Sequence, residues 1–493
     1  MDEKKRNRIN LWMFPLGTVG RDMLYSLFNS FLFTYVLFTR TLTAAQLSAI
    51  TVIMVAARVF DALNDPIMGN IIERTRTRFG KFKPWLVIGI AATIVVEYLA
   101  FNSELQGWSF VVFFGAIYFL YSIAYTMHDI SYWGMVASLS SNADTRNQLT
   151  SRATLFAGIG GTLASLIIPM FTTGELALGG NAMTAYGRIA LLFCVIAPLF
   201  MCFTVFGVRE REQKSPEQAP PISFKKILST ITGNDQLMWI AIIFLIQQIG
   251  NNLAVHGLGA TYIYLEFGYA GGLYSLFNTI GVLATAFLML FYPVISRKIQ
   301  RKRLMKIMML ISTIGYAVML LCGLLMPSNM IKFWLITASY MAANFGIYSF
   351  YLIMMISIIN TVEYNEYKHG VRDEAIIASL RPFLTKLASA LVAALTSLAY
   401  ILFGVTGTTN QISAFENAAA SGAITEAEKL AGISEVIGNV APSQSNGLFL
   451  CITVLPFVMM LLSYILYQKH YKLDEPEYDR ICAELAKRKE LGA

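Results

Sequence analysis

Apolar runs long enough to cross a bilayer recur along the whole chain, and no other feature limits its fold as strongly. They fall near residues 12–38, 46–73, 85–101, 108–138, 151–173, 186–208, 237–265, 272–296, 304–326, 331–360, 375–404 and 446–468. A spanning helix needs about 20 apolar residues, so twelve such runs predict an all-α integral membrane protein. Composition agrees: 56% of the 493 residues are hydrophobic and 14% charged, against about 25% charged in soluble domains. The net charge of +8 does not point to nucleic acid, because the basic residues gather between apolar runs.

Those basic clusters predict orientation. Arg74, Arg76, Arg78, Lys81 and Lys83 follow the second run, and Arg297, Lys298, Arg301, Lys302, Arg303 and Lys306 follow the eighth. Segment 209–236 adds Arg209, Arg211, Lys214, Lys225 and Lys226, with Pro216, Pro220 and Pro221. The alternate connections carry Glu104, Glu175, Glu266, Glu416, Glu426, Glu428 and Glu435 against Lys429. The positive-inside rule then expects both termini on the cytoplasmic side of a cell (inner) membrane, with the charged N-terminal tail leading into a retained first helix. Segment 209–236 reads as a cytoplasmic middle loop between six-helix bundles at 1–208 and 237–468, with a cytoplasmic tail at 469–493. Two six-helix repeats are a transporter architecture, with the site near the midplane between halves. Residues 411–436 fit one external amphipathic helix.

Charges inside the runs mark the candidate site. Each costs about 2.5–3.5 kcal/mol even on the lenient insertion scale, so such residues are usually functional. Arg58, Asp61 and Asp65 stand at i, i+3 and i+7 of the second run and share one helical face. Two neighbouring carboxylates repel, and a bound cation or proton relieves them. Asn64 and Thr126 complete a set of hard oxygen ligands that suits Na⁺ or Li⁺ better than a soft transition metal. The first run carries Arg21 and Asp22; the fourth carries Tyr125, Thr126, Asp129 and Trp133; the fifth begins near Arg152; the eleventh holds Arg381 and Lys386. Carboxylates that accept sugar hydroxyls beside an indole that stacks on the ring face form a plausible polyol pocket. Structural ion pairs are the competing reading, most of all for Arg58, Arg152 and Lys386. Four histidines without a spaced pair, and five cysteines (Cys194, Cys202, Cys322, Cys451 and Cys482) without a CxxC, argue against a metal centre. With no Ser/His/Asp or histidine cluster, the expectation is not an enzyme.

At these residues the chain resembles the glycoside–pentoside–hexuronide:cation symporters, the melibiose-permease-like family of the major facilitator superfamily. DALNDPIMGNIIERTRTRFGKFKPW in the second run, YTMHDISYW in the fourth and EYNEYKHGVRDE before the eleventh carry the resemblance, which extends over about residues 10–468. It implies a twelve-helix major facilitator fold and secondary active symport of a sugar with Na⁺, Li⁺ or H⁺ by alternating access. It places the cation at Asp61 and Asp65, with Asn64 and Thr126 beside them. It places the sugar at Asp22, Asp129 and Trp133, with Arg152, Tyr125 and Arg21 lining the same pocket. It makes Lys386 the coupling residue and Arg58 the charge partner of the acids, no organic cofactor is implied, and Arg381 is read as a further member of that charge network. Arg381 and His128 depart from the melibiose-type pattern and, with His256, leave open an anionic sugar such as a hexuronide. A lysolipid:cation symporter on the same fold and a non-transporting sugar sensor are the alternatives. Partners are thus a small sugar, a monovalent cation and the lipid bilayer, with no nucleic acid.

Overall fold

The computed structural model describes residues 3–140, 142–209, 224–253 and 258–490. These form eighteen α-helices: α1 (Glu3–Ser26), α2 (Leu32–Thr39), α3 (Ala44–Arg74), α4 (Lys83–Phe101), α5 (Gly107–Leu139), α6 (Ala143–Thr172), α7 (Ala182–Cys202), α8 (Phe224–Gly233) and α9 (Asp235–Leu253). The chain continues as α10 (Leu258–Phe267), α11 (Gly271–Lys298), α12 (Arg301–Leu325), α13 (Met330–His369), α14 (Glu374–Leu402), α15 (Val405–Ala420), α16 (Glu426–Gly438), α17 (Pro442–His470) and α18 (Glu475–Glu490). No strand occurs among the described residues. Ten helices there are long and apolar enough to cross a membrane. The expected runs 12–38 and 272–296 lie outside that set and are helical as well, in α1–α2 and α11.

The described residues fall into two compact units. The first holds the chain up to 209 together with Ile263–Leu276 and Tyr400–Ala441; the second holds 224–262, Phe277–Ala399 and the chain from Pro442.

In the first unit α1 packs on both α6 and α7. Glycine permits that approach: a Cβ at Gly20 would strike the backbone of Ala197, and one at Gly160 would strike the Val19 carbonyl. A π turn at Leu27–Phe31 joins α1 to α2; such turns re-aim the side chains around them. Thr43 and Gln46 start α3 with a reciprocal capping box, which satisfies two otherwise orphaned donors. α3 and α4 each pack along α5.

Three connecting segments are more ordered than their sequences predict. The expected external helix at 411–436 is two helices, α15 and α16, because Gly422 adopts a left-handed φ of +73° and Thr425 caps α16. The tail end of segment 209–236 is α8, and 469–493 contains α18. In the EYNEYKHGVRDE motif α13 runs on to His369 and closes on left-handed Gly370, the usual helix stop. Arg372 then gathers Glu363, Glu366 and Glu374 at 2.7, 2.8 and 3.2 Å, and the Asn365 amide donates to the Val371 carbonyl. That motif therefore staples a helix end.

Candidate functional site

Six intramembrane charges of the first unit form two clusters, and α5 contributes to both. In the first, α3 presents Asp61 and Asp65. Asp61 is buried; it accepts from Arg58 at 3.3 Å and from the Ser122 hydroxyl of α5. One helical turn further along α5, the Thr126 hydroxyl donates to Asp65 at 3.0 Å. Asn64 is on the same helix, with its amide nitrogen buried and lacking a hydrogen-bond partner. Arg58 also donates to the Asn29 amide oxygen at 2.6 Å. Asn29 sits in the π turn and donates in turn to the Tyr25 carbonyl and the Tyr121 phenol. Two carboxylates and one guanidinium leave this cluster with a net charge of −1.

In the second cluster Arg21 bridges α1 and α5. It is 3% exposed; its Nε and Nη2 donate to Asp22 at 3.0 and 2.9 Å, and its Nη1 donates to Asp129 at 3.0 Å. The guanidinium lies 4.9 Å from the Tyr132 ring centroid and 5.3 Å from that of Trp133. Asp129 keeps a third of its side-chain surface open, so its free oxygen can accept a further donor. Tyr125 joins the aromatic wall, its ring 5.6 Å from Tyr121, 5.3 Å from Tyr25 and 4.6 Å from His128. This cluster also totals −1.

The structure thus gathers Asp61, Asp65, Thr126 and Arg58 in one place, and Arg21, Asp22, Asp129 and Trp133 in another. Arg152 is engaged elsewhere: it donates to the Leu11 carbonyl at 3.2 Å and lies 5.0 Å from the Trp12 ring centroid, because both face the first turns of α1. Lys386 and Arg381 belong to α14 of the second unit, where Ser389 and Thr385 donate to their carbonyls at 2.7 and 3.1 Å. His256 lies outside the described residues. Sequence reasoning passes over Asn29 and Ser122. The one signal for Asn29 is an amide in an otherwise apolar stretch; Ser122 gives only its spacing, four residues before Thr126.

Residues 13–475 match the family described as MFS/sugar transport protein. The chain is 25% identical to the lactose permease of Leuconostoc lactis across 99% of its own length and 73% of the permease. It is 26% identical to the raffinose carrier protein of Pediococcus pentosaceus across 96% of this chain and 70% of the carrier. Among solved structures it resembles a bacterial homologue of the human lysosomal transporter Spinster, inward-facing and unoccupied. The TM-score is 0.60 at 12% identity, covering 94% of this chain and 96% of the other; at that identity the likeness is one of fold. The polytopic helices, the matched family and these relatives make the chain a multi-pass membrane protein with the twelve-helix major facilitator fold, and it belongs to the MFS/sugar transport family as a melibiose-permease-like symporter.

Proposed function

We propose that the chain is a secondary active symporter of the inner membrane that couples entry of one monovalent cation to uptake of a neutral glycoside. One observation carries the reading: α5 supplies Ser122 and Thr126 to the α3 carboxylates and, one turn on, Asp129 to the Arg21 cluster. A helix rises about 1.5 Å per residue, so Thr126 and Asp129 are about 4.5 Å apart along its axis. A cation held between Asp61 and Asp65 neutralises the net −1 of that cluster and fixes α5 against α3. That sets Asp129 and Trp133 for the sugar, so each ligand raises the affinity of the other.

The relatives' names support a sugar as cargo. The net −1 around Arg21 favours hydroxyl donors over a carboxylate-bearing sugar. Asp22 and Asp129 accept those hydroxyls, Trp133 stacks on the ring, and Tyr125 and Arg21 shape the wall. The hard oxygens of Asp61, Asp65, Asn64 and Thr126 suit Na⁺ or Li⁺, and the carboxylates alone suit H⁺. The halves 1–208 and 237–468 rock between outward- and inward-facing states, with both termini cytoplasmic and with Lys386 and Arg381 as the charges contributed by the second half.

The test is uptake into vesicles holding the full chain, with a panel of galactosides, glucosides, xylosides and glucuronides, each with and without Na⁺ and at two pH values. The expected result is accumulation of a neutral glycoside driven by a cation gradient. Asp65→Asn should remove the cation stimulation and leave sugar binding, whereas Asp129→Asn should remove binding. Full cation-driven accumulation by Asp65→Asn would overturn the cation site. Binding without counterflow would make the protein a sensor.

A further inference from the structure

Glu97 lies in the α4 span, is fully buried, and has no hydrogen-bond partner on either carboxylate oxygen. The other buried acids of the first unit are supported differently: Asp61 accepts from Arg58 and Ser122, and Glu416 accepts from the Ala182 amide beside Lys429. No lysine, arginine or histidine pairs with Glu97 among the described residues. The titratable groups facing it are the Tyr121 phenol from α5 and the Cys194 thiol from α7. Cys194 donates to the Ile94 carbonyl, and the Tyr121 hydroxyl already accepts from Asn29.

The acid is not isolated in character. Thr93, one turn back on α4, is fully buried with an unpartnered hydroxyl. Gly89, one further turn back, is pressed against His128 of α5, where a Cβ would strike the histidine backbone. Both ring nitrogens of His128 and the hydroxyl of Ser131 are likewise buried without hydrogen-bond partners. A stripe of unsatisfied polar groups therefore runs along the tightly packed α4–α5 seam. An ionised carboxylate at this place would bear a desolvation penalty with nothing to offset it. Adding a proton removes that penalty without moving either helix.

We propose that Glu97 is a proton-binding site of the first unit, separate from the carboxylates of α3 and α5. The bound proton keeps α4 closed on α5 and α7, and its loss forces the seam apart. The site stands whether or not the cargo is a sugar, because it uses no carboxylate of either cluster.

The test compares the full-length protein with Glu97→Gln and Glu97→Leu in lipid at neutral pH. Infrared difference spectra should show the C=O stretch of a protonated carboxylic acid in the parent chain, lost in both variants. A proton held by the folded state and released on unfolding makes stability fall as pH rises. The parent should therefore lose thermal stability toward alkaline pH, while Glu97→Gln shows a flatter profile. Loss of carboxylate-anion bands instead, or no spectral change, would overturn the proposal. So would failure of both variants to fold, since a neutral unpaired acid tolerates its amide isostere and an apolar side chain.

Discussion

Arg21 holds the α1–α5 cluster together through geometry that lysine cannot copy. Its guanidinium reaches Asp22 with two nitrogens and Asp129 with a third, and it faces two aromatic rings. Lysine offers a compact charge without the planar fork, so Arg21→Lys can hold one carboxylate and must leave the other loose. Sugar affinity should fall at least tenfold, about 1.4 kcal/mol, in calorimetry at saturating cation. Unchanged affinity would mean that the bridge does not shape the pocket. Residues of this kind are legible in sequence because charge in an apolar run is costly. Ser122 is not. A hydroxyl in a membrane helix commonly bonds its own backbone four residues back, as Thr51, Ser349 and Ser357 do here. Only the crossing of α5 past α3 turns Ser122 outward to Asp61. Arg152 is as conspicuous in charge as Arg21, and the packing of α6 on α1 places it against the Leu11 carbonyl and Trp12.

Among elements, the α15–α16 pair departs furthest from its sequence pattern. It is docked in the first unit by Asn410, which exchanges two bonds with the backbone of Leu42, and by Asn417, which donates to the Thr39 carbonyl. Glu416 accepts from the Ala182 amide at 2.6 Å, Lys429 donates to the Gly180 carbonyl at 2.6 Å, and the two charges, both fully buried, stand 3.7 Å apart. The capping box at Thr425 and Glu428 could be read from a T-x-x-E spacing. Glu416 and Lys429 could not, because their burial depends on α2 and α7. Burial pushes the Glu416 carboxyl above its ordinary value, while Lys429 and the Ala182 amide hold it back. A raised value in the docked state means that docking is strongest below the ordinary glutamate pKa, about 4.3, and weakens as pH rises through the raised one. Hydrogen exchange across 405–438, corrected for its intrinsic pH dependence, should be slower on the acid side of neutrality. Glu416→Gln should flatten that dependence. Lys429→Met should speed exchange most on the alkaline side, where Glu416 is ionised and left without its partner, since stranding a buried charge costs about 3–5 kcal/mol. Exchange in the parent chain that ignores pH would remove Glu416 from the docking.

For the whole molecule, apolar periodicity is a strong signal because hydrocarbon demands internally satisfied backbone, so twelve helical runs could be read off the chain. The compact units could not be. Residues 263–276 and 400–441 join the first unit through scattered contacts such as Ser275 to the Leu166 carbonyl, Phe38 against Tyr264 and Glu416 to Ala182, which leave no periodic trace. The proposed cation site carries an energetic consequence at this scale. In the proposed symport one monovalent cation sits between Asp61 and Asp65. With an uncharged sugar, each cycle then moves one positive charge across the bilayer. The membrane potential contributes about 2.3 kcal/mol per 100 mV for one charge, and 1.4 kcal/mol is tenfold. In tight vesicles with no chemical gradient of cation, a 100 mV inside-negative potential should therefore raise internal sugar to about 50-fold over external. Accumulation that ignores the potential would make the cycle electroneutral. A ratio near the square of that value would require two cations. Either result would mean that the α3 cluster is not the whole coupling site.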